Sequence, residues 1–341
     1  MNQTILNKVT SSFNTPINKE NEQNPPRINS PKLKQLEKDT VSFSARPSTK
    51  KIQHFSLDIL KAIPFSEKTQ SLRAEAEHIY NFGKGKLSAF NDLCLDIFPN
   101  GAKTTRIKSP RSIESKLRNK IKQNQTRDKN LMNIIGDLAG ARGITDGSPE
   151  ATDKIVNNLV KKIEEKELQI TSIRNYRGTY TAPYFSQKHI DLITEANRKA
   201  GNKNIKILNG TNSIKENGYT AGHITGITKD KLNVELQIKG KLVNKIDEST
   251  HIIHDLFVAK DSACINSRSK RKLLEPVIKA YNSLSPAKKD KYNKYLNACY
   301  LEARKAEINN KKLVLPQLIN EIPDCLNLDK LWDIAQQFKL Y

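Results

Sequence analysis

The segment Val234-Glu235-Leu236-Gln237-Ile238-Lys239 alternates apolar and polar residues without a break. A side-chain period of two reads as a strand with one face toward a core and the other carrying Glu235, Gln237 and Lys239. The run His223–Thr228, separated from Lys231–Lys239 by Lys229-Asp230, predicts the other arm of a hairpin. Short strand-like runs recur upstream at Thr104–Lys108, Leu138–Ile144, Leu168–Ile173 and Ile205–Leu208. Helical spacing fills the gaps: two or three helices over 56–62 and 65–98, then Pro110–Gln123, Pro149–Lys166 and Phe185–Lys199. Long helices close the chain, notably Pro286–Glu307 with Ser285 as its N-cap. This order predicts a mixed sheet with helices packed on it, an α/β or α+β core with helical flanks.

The 341 residues carry 58 Lys+Arg against 36 Asp+Glu, a net charge of +22. Such an excess points to a polyanionic partner or a phosphate-rich substrate. Hydrophobic residues make up 36 %, low for a globular chain, so either part of it does not fold or the core is small for the length. Residues 1–50, rich in Asn, Ser, Pro, Lys and Thr without apolar periodicity, read as a disordered segment that is either passive or used in targeting or non-classical secretion. Residues 51–275 then form the folded domain and 276–341 a helical C-terminal extension. No apolar run approaches membrane-spanning length, and no secretory signal opens the chain. The expected location is cytoplasmic, or outside the cell by a non-classical route. Cys94, Cys264, Cys299 and Cys325 lack CxxC spacing and read as free thiols.

Several polar groups lie where a strand-centred site needs them. Arg106 and Lys108 project together from a strand, and Ser112 and Lys116 share a face of the helix after it. Cations and a hydroxyl at a helix start suit phosphates, and they equally suit a solvated basic helix. Asp137 opens the small-residue strand Leu138-Ala139-Gly140-Ala141-Arg142, where Gly140 permits close approach by a ligand. A carboxylate there, like Glu235, needs a cation or a metal; paired carboxylates on adjacent strands suit Mg²⁺ beside a nucleotide, while ion pairs with nearby Arg and Lys are the plainer reading. Glu216-Asn217-Gly218-Tyr219 forms a turn whose tyrosine either stacks on a base or is an ordinary half-buried ring, with His223 following. His251 and His254-Asp255 have ligand-like spacing but no third ligand cluster.

Together, Arg106-x-Lys108-x-x-x-Ser112-x-x-x-Lys116, Asp137-Leu-x-Gly140-x-Arg142, Asn217-Gly218-Tyr219-x-x-x-His223 and Glu235-Leu-Gln237-Ile resemble, in order and spacing, the synthetase domain of the RelA/SpoT alarmone synthetases over about residues 70–270. The resemblance implies an α+β fold with a nucleotidyltransferase-like mixed sheet, and transfer of the β,γ-pyrophosphate of ATP to the 3′-hydroxyl of GDP or GTP. It implies that Arg106 and Arg142 sandwich the adenine and that Lys108, Ser112 and Lys116 hold the phosphates. Asp137 and Glu235 would bind Mg²⁺, with Glu235 as base; Lys215, Tyr219 and His223 would hold the acceptor, supported by Gly140, Gly218 and Gln237.

The chain also departs from that family. The segment Phe55–Pro99 lacks the His-Asp pair of the hydrolase domain, which suggests a small synthetase-only form. An insertion separates Asn175-Tyr176 from Gly218-Tyr219, Lys239-Gly240 stands where Arg-Thr is usual, and a family tyrosine is replaced around His254. Three functions follow: a synthetase using a guanine or adenine nucleotide; a toxin-like enzyme that modifies the 3′-end of tRNA, suggested by the basic runs Lys116–Lys129 and Arg268–Lys272; or a non-catalytic nucleotide- or RNA-binding module. A standalone synthetase also calls for restraint, for instance by a neutralising protein partner.

Overall fold

The alternating segments assemble into one mixed sheet. Its strands are β1 (Thr104–Ile107), β2 (Ala139–Thr145), β3 (Leu168–Tyr176), β4 (Lys206–Leu208), β5 (Ala221–Thr228) and β6 (Asn233–Gly240), in the spatial order β1-β2-β6-β5-β3-β4. β2 runs parallel to β6 and β3 parallel to β4, and the remaining neighbours are antiparallel. The helices are α1 (Phe65–Gly85), α2 (Leu87–Ile97), α3 (Pro110–Lys122), α4 (Pro149–Glu164), α5 (Gln187–Lys199), α6 (Lys241–Val258), α7 (Arg268–Ser283), α8 (Pro286–Ile308) and α9 (Leu328–Phe338). This computed structural model describes residues 65–99, 104–122, 134–202, 204–258 and 268–338, so the N-terminal segment 1–50 and the helical turn expected over 56–62 lie outside the described residues. All described residues belong to one compact unit, Gln53–Tyr341.

Local signals explain the helix starts. Ser148, Ser186 and Ser285 each sit at an N-cap, accepting backbone N–H groups of Ala151, His189 and Lys288 at 3.1, 3.3 and 3.3 Å. Pro149 and Pro286 follow at first helical positions, where the missing N–H costs nothing. The expected run 65–98 divides into two helices near Lys86, whose N–H bonds back to Gly83.

Register divides the sheet into two faces. Ala139, Ala141, Val234, Leu236, Ile238, Ile224 and Ile173 fall on one face and are all buried, packed in a single core with Ile155, Val156, Leu159 and Ile163 of α4. The opposite face carries Arg106, Arg142, Glu235, Gln237 and His223.

Helix α8 is locked into this unit by a buried carboxylate. Glu307 accepts the first N–H groups of α6 from Leu242 and Val243, both at 2.9 Å, and the Tyr184 hydroxyl at 3.0 Å. It thereby caps orphan donors at a helix N-terminus, where a negative charge is favoured. Arg304, one turn earlier, pairs with Glu307 at 3.4 Å and donates to the Gly147 carbonyl. The carboxylate passes between Gly147 and Gly240, and a Cβ at either would run into it. Burial raises the pKa of the Glu307 carboxyl, opposed by the Val243 N–H, Arg304 and Tyr184. Replacing Glu307 with Ala leaves the Leu242 and Val243 N–H groups without their acceptor and the buried Arg304 without its carboxylate. The expected loss is roughly 3–5 kcal/mol of stability, read as a fall in denaturant midpoint, whereas Glu302→Ala on the exposed side of α8 should change it by less than about 0.5 kcal/mol.

Candidate active site

The polar face of the sheet is built by register. β1 pairs Arg106 with Gly140, β2 pairs Gly140 with Glu235, and β5 pairs Thr225 with Glu235. One step along, Thr104 lies opposite Arg142, Arg142 opposite Gln237, and Gln237 opposite His223. Paired residues point to the same face, so two adjacent cross-strand rows bring Arg106, Arg142, Glu235, Gln237 and His223 together. Gly140 leaves a gap between Arg106 and Glu235: a Cβ there would meet nothing closer than the Glu235 carbonyl oxygen at 3.9 Å.

Asp137 sits at the turn before β2, and two lysines hold it. Lys108 donates to its Oδ2 at 2.9 Å and Lys116 to its Oδ1. Burial acts to raise the Asp137 pKa, but the charges and hydrogen bonds of Lys108 and Lys116 prevail and hold it below the usual carboxylate range. Ser109 caps α3, accepting the Ser112 N–H at 3.3 Å, and its hydroxyl shares a hydrogen bond of 3.0 Å with that of Ser112. Ser112 therefore stands exposed at the helix start and is not among the residues lining the adjacent cavity.

Glu235 heads a hydrogen-bonded chain across β6 and β5. Gln237 donates to its Oε1 at 2.8 Å, and His223 Nδ1 lies 3.3 Å from its Oε2. The other ring nitrogen of His223 shares a 2.8 Å hydrogen bond with the Tyr219 hydroxyl. The tautomer protonated at Nδ1 satisfies both contacts, donating to Glu235 and accepting from Tyr219. Burial acts against ionisation of Glu235, and is outweighed by the hydrogen bonds from His223 and Gln237 and by the charge of Lys108. Its pKa lies well below the ordinary glutamate value.

Two adjoining cavities open on this face. The smaller, about 40 Å³, is lined by Arg106, Lys108, Asp137, Gly140, Arg142 and Glu235 among others. The larger, about 450 Å³, shares Arg106, Arg142 and Gln237 with it and extends past Lys215 and Tyr219. Lys215 stands over the Tyr176 ring at 4.5 Å and Lys239 over the Tyr219 ring at 4.8 Å, each cation against an aromatic face. Gly218, at φ +79°, turns the chain into Tyr219 and lies against the α8 backbone at Asn297, so a side chain there is opposed by both conformation and space.

The cleft thus gathers every residue expected at the site except Ser112, with Lys116 entering through Asp137, His223 through Glu235 and Tyr219, and Gly218 shaping the loop. Other participants escaped sequence reasoning. Arg142 faces α6, donating to Asn244 at 3.3 Å and lying 3.9 and 3.8 Å from Asp247 and Glu248. Lys239 is buried and ion-paired with Asp247, its pKa lowered by burial against the pull of that carboxylate. Asn244, Asp247, Glu248 and His251 form an i, i+3, i+4, i+7 stripe, a polar face on a helix otherwise turned to the core, and that spacing was the available signal. Tyr281, Asn293 and Tyr300 from α7 and α8 also line the cleft, and nothing local to their sequence marks them. The side chains of His254, Asp255 and Arg268–Lys272, and the run 123–129, lie outside the described residues.

Because the folded-state pKa of Glu235 lies below its unfolded value, the unfolded chain binds more protons in acid. The resulting stability is complete above the ordinary glutamate value of about 4.3 and is lost as pH falls through the folded value. The gap in melting temperature between the wild type and Glu235→Gln should therefore be widest near neutrality and narrow on acidification below about pH 4. A constant gap down to about pH 3 would contradict this account of the Glu235 environment.

No helix among the described residues is long and apolar enough to cross a membrane. A comparison with curated proteins returns no match. The family model described as the region found in RelA / SpoT proteins matches residues 105–256, from β1 to the last turns of α6. That span contains every expected site residue, on the mixed sheet flanked by helices described above, and on this ground residues 105–256 form the region found in RelA / SpoT proteins, with the fold of the pyrophosphokinases.

Proposed function

We propose that this protein is an ATP-dependent pyrophosphokinase that transfers the β,γ-pyrophosphate of ATP to the 3′-hydroxyl of a guanine or adenine nucleotide. The observation that carries this reading is the pair of cross-strand rows that sets Glu235 beside Arg106, Arg142 and the Asp137 corner, with Tyr219 and Lys215 on the far side. The acceptor oxygen attacks the β-phosphorus, the bond from that phosphorus to the α,β-bridging oxygen breaks, and AMP leaves. The hydroxyl proton passes to Glu235, whose carboxylate is ionised and oriented by Gln237 and His223. Lys108 and Lys116, now on Asp137, are the cations positioned to hold phosphate oxygens, and Arg106, whose guanidinium makes no hydrogen bond to the described residues, is the group positioned to stack on the donor base.

The residues fit a magnesium ion. Asp137 and Glu235 offer hard carboxylate oxygens on one cavity, and among the described residues no cluster of three or more His, Cys, Asp or Glu stands ready to hold a metal by itself. A pair of carboxylates completed by substrate phosphates and water is the arrangement Mg²⁺ favours. When bound, the ion would neutralise phosphate charge during transfer.

Incubation with γ-labelled ATP and each candidate acceptor tests the reading. AMP and a labelled 3′-pyrophosphorylated nucleotide are expected, with Asp137→Ala and Glu235→Ala each lowering the rate by roughly 10²-fold or more. Full activity in both variants would remove the mechanism, and label appearing only on tRNA would move the acceptor to an RNA 3′-end. Gly140→Val adds a further check. The open space above Gly140 predicts a nearly unchanged melting temperature together with at least a roughly tenfold rise in KM for ATP, because the new side chain fills the cleft instead of clashing with the fold.

A further inference from the structure

The matched region stops at residue 256, but the larger cavity does not. Its sheet side carries Arg106, Lys215 and Tyr219, and its opposite wall comes from α7 and α8. Helix α8 is held there at two separate points. Glu307 and Arg304 anchor one end at the start of α6, and Asn297 rests on Gly218 and donates to the Glu216 carbonyl at 3.5 Å, directly beside Tyr219. The stripe of α8 between Tyr292 and Tyr300 is therefore a rigid wall of the site.

Most polar groups on that wall are committed. The Tyr292 hydroxyl donates to the Leu326 carbonyl at 2.9 Å, and that of Tyr300 shares a 3.1 Å hydrogen bond with Thr250. On the facing loop, Asn217 accepts the Tyr219 N–H at 3.2 Å. The half-buried side-chain amide of Asn293 lines the same cavity and makes no hydrogen bond to any described residue. An amide offers donors and an acceptor together, which is what reading the edge of a base requires. The surrounding rings supply apolar and stacking surface, and the cavity of about 450 Å³ falls within the usual size of small-molecule sites.

We infer that α8 is the acceptor-selecting wall of this cleft and that Asn293 reads the base edge of a free purine nucleotide. The inference rests on the pyrophosphokinase reading for the identity of the acceptor cleft, and it adds a specificity-determining residue from outside the matched domain. A carboxylate in place of the amide is acceptor-only. The Watson–Crick edge of guanine offers it two neighbouring N–H groups, whereas that of adenine offers one amino group beside an acceptor nitrogen.

The test measures kcat/KM for GDP and for ADP as acceptors with the full chain, in the wild type, Asn293→Asp and Asn293→Leu. Equilibrium binding of GDP and ADP is measured alongside, with α,β-methylene-ATP saturating the donor site. In Asn293→Asp the guanine-to-adenine ratio should rise at least roughly tenfold, while Asn293→Leu should lose most of the wild-type preference; unchanged melting temperatures certify folding. Transfer with the same ratio in all three proteins overturns the inference and leaves the pyrophosphokinase reading intact. Binding that discriminates between the bases through Asn293, without any transfer, upholds the inference and overturns that reading. Binding of neither nucleotide overturns both.

Discussion

The placement of β6 between β2 and β5 is the constraint on which the rest of the site depends. Its parallel register with β2 sets Glu235 opposite Gly140 and Gln237 opposite Arg142, and its antiparallel register with β5 sets Gln237 opposite His223. A slip of one residue in either ladder would turn Val234, Leu236 and Ile238 to solvent and bury Glu235 in the core, an exchange that costs many kilocalories and is therefore strongly disfavoured. The hydrophobic face thus enforces the geometry of the polar one. Packing and chemistry are two consequences of the same period-two pattern.

Charge on the polar face is balanced in separate compartments. Asp137 is matched by Lys108 and Lys116 at one end, and Asp247 by Lys239 and Arg142 near the other. Glu235 lies between them with His223 and Gln237. These groups are buried enough that an unmatched charge would be expensive, so each carboxylate is held ionised by its own cation or donors. Arg106, at the edge strand, is outside these pairings, and a cation so placed beside a cleft is suited to an anionic or aromatic ligand. The large positive charge of the chain is accordingly of two kinds, cations that complete internal pairs and cations that remain for a partner.

The C-terminal helices change how the domain is understood. By sequence they read as an appended extension, yet α8 contributes the cap of α6, the support beneath Gly218 and one wall of the larger cavity. The contacts are reciprocal: Gly147, Gly218 and Gly240 all lie within the matched region and provide the space that Glu307 and Asn297 occupy. Residues far apart in the sequence thus meet at two points along α8, which couples the stability of the cleft to the far end of the chain.

The sequence by itself determined the strands, most helix limits, the α+β class and the residues that share the polar face of the sheet, because period-two and period-3.6 patterns, serine caps and motif spacing are local properties. It also marked Lys239 as unusual after Gln237-Ile238. Only the tertiary structure decided that Lys239 is buried against Asp247, that Arg142 faces α6, that Ser112 turns to Ser109, and that Tyr281, Asn293 and Tyr300 wall the cleft. Each of those depends on how distant segments pack. A side chain's partner across a fold is chosen by the docking of whole elements, here through Glu307 and the glycines around it, and no local spacing encodes that docking.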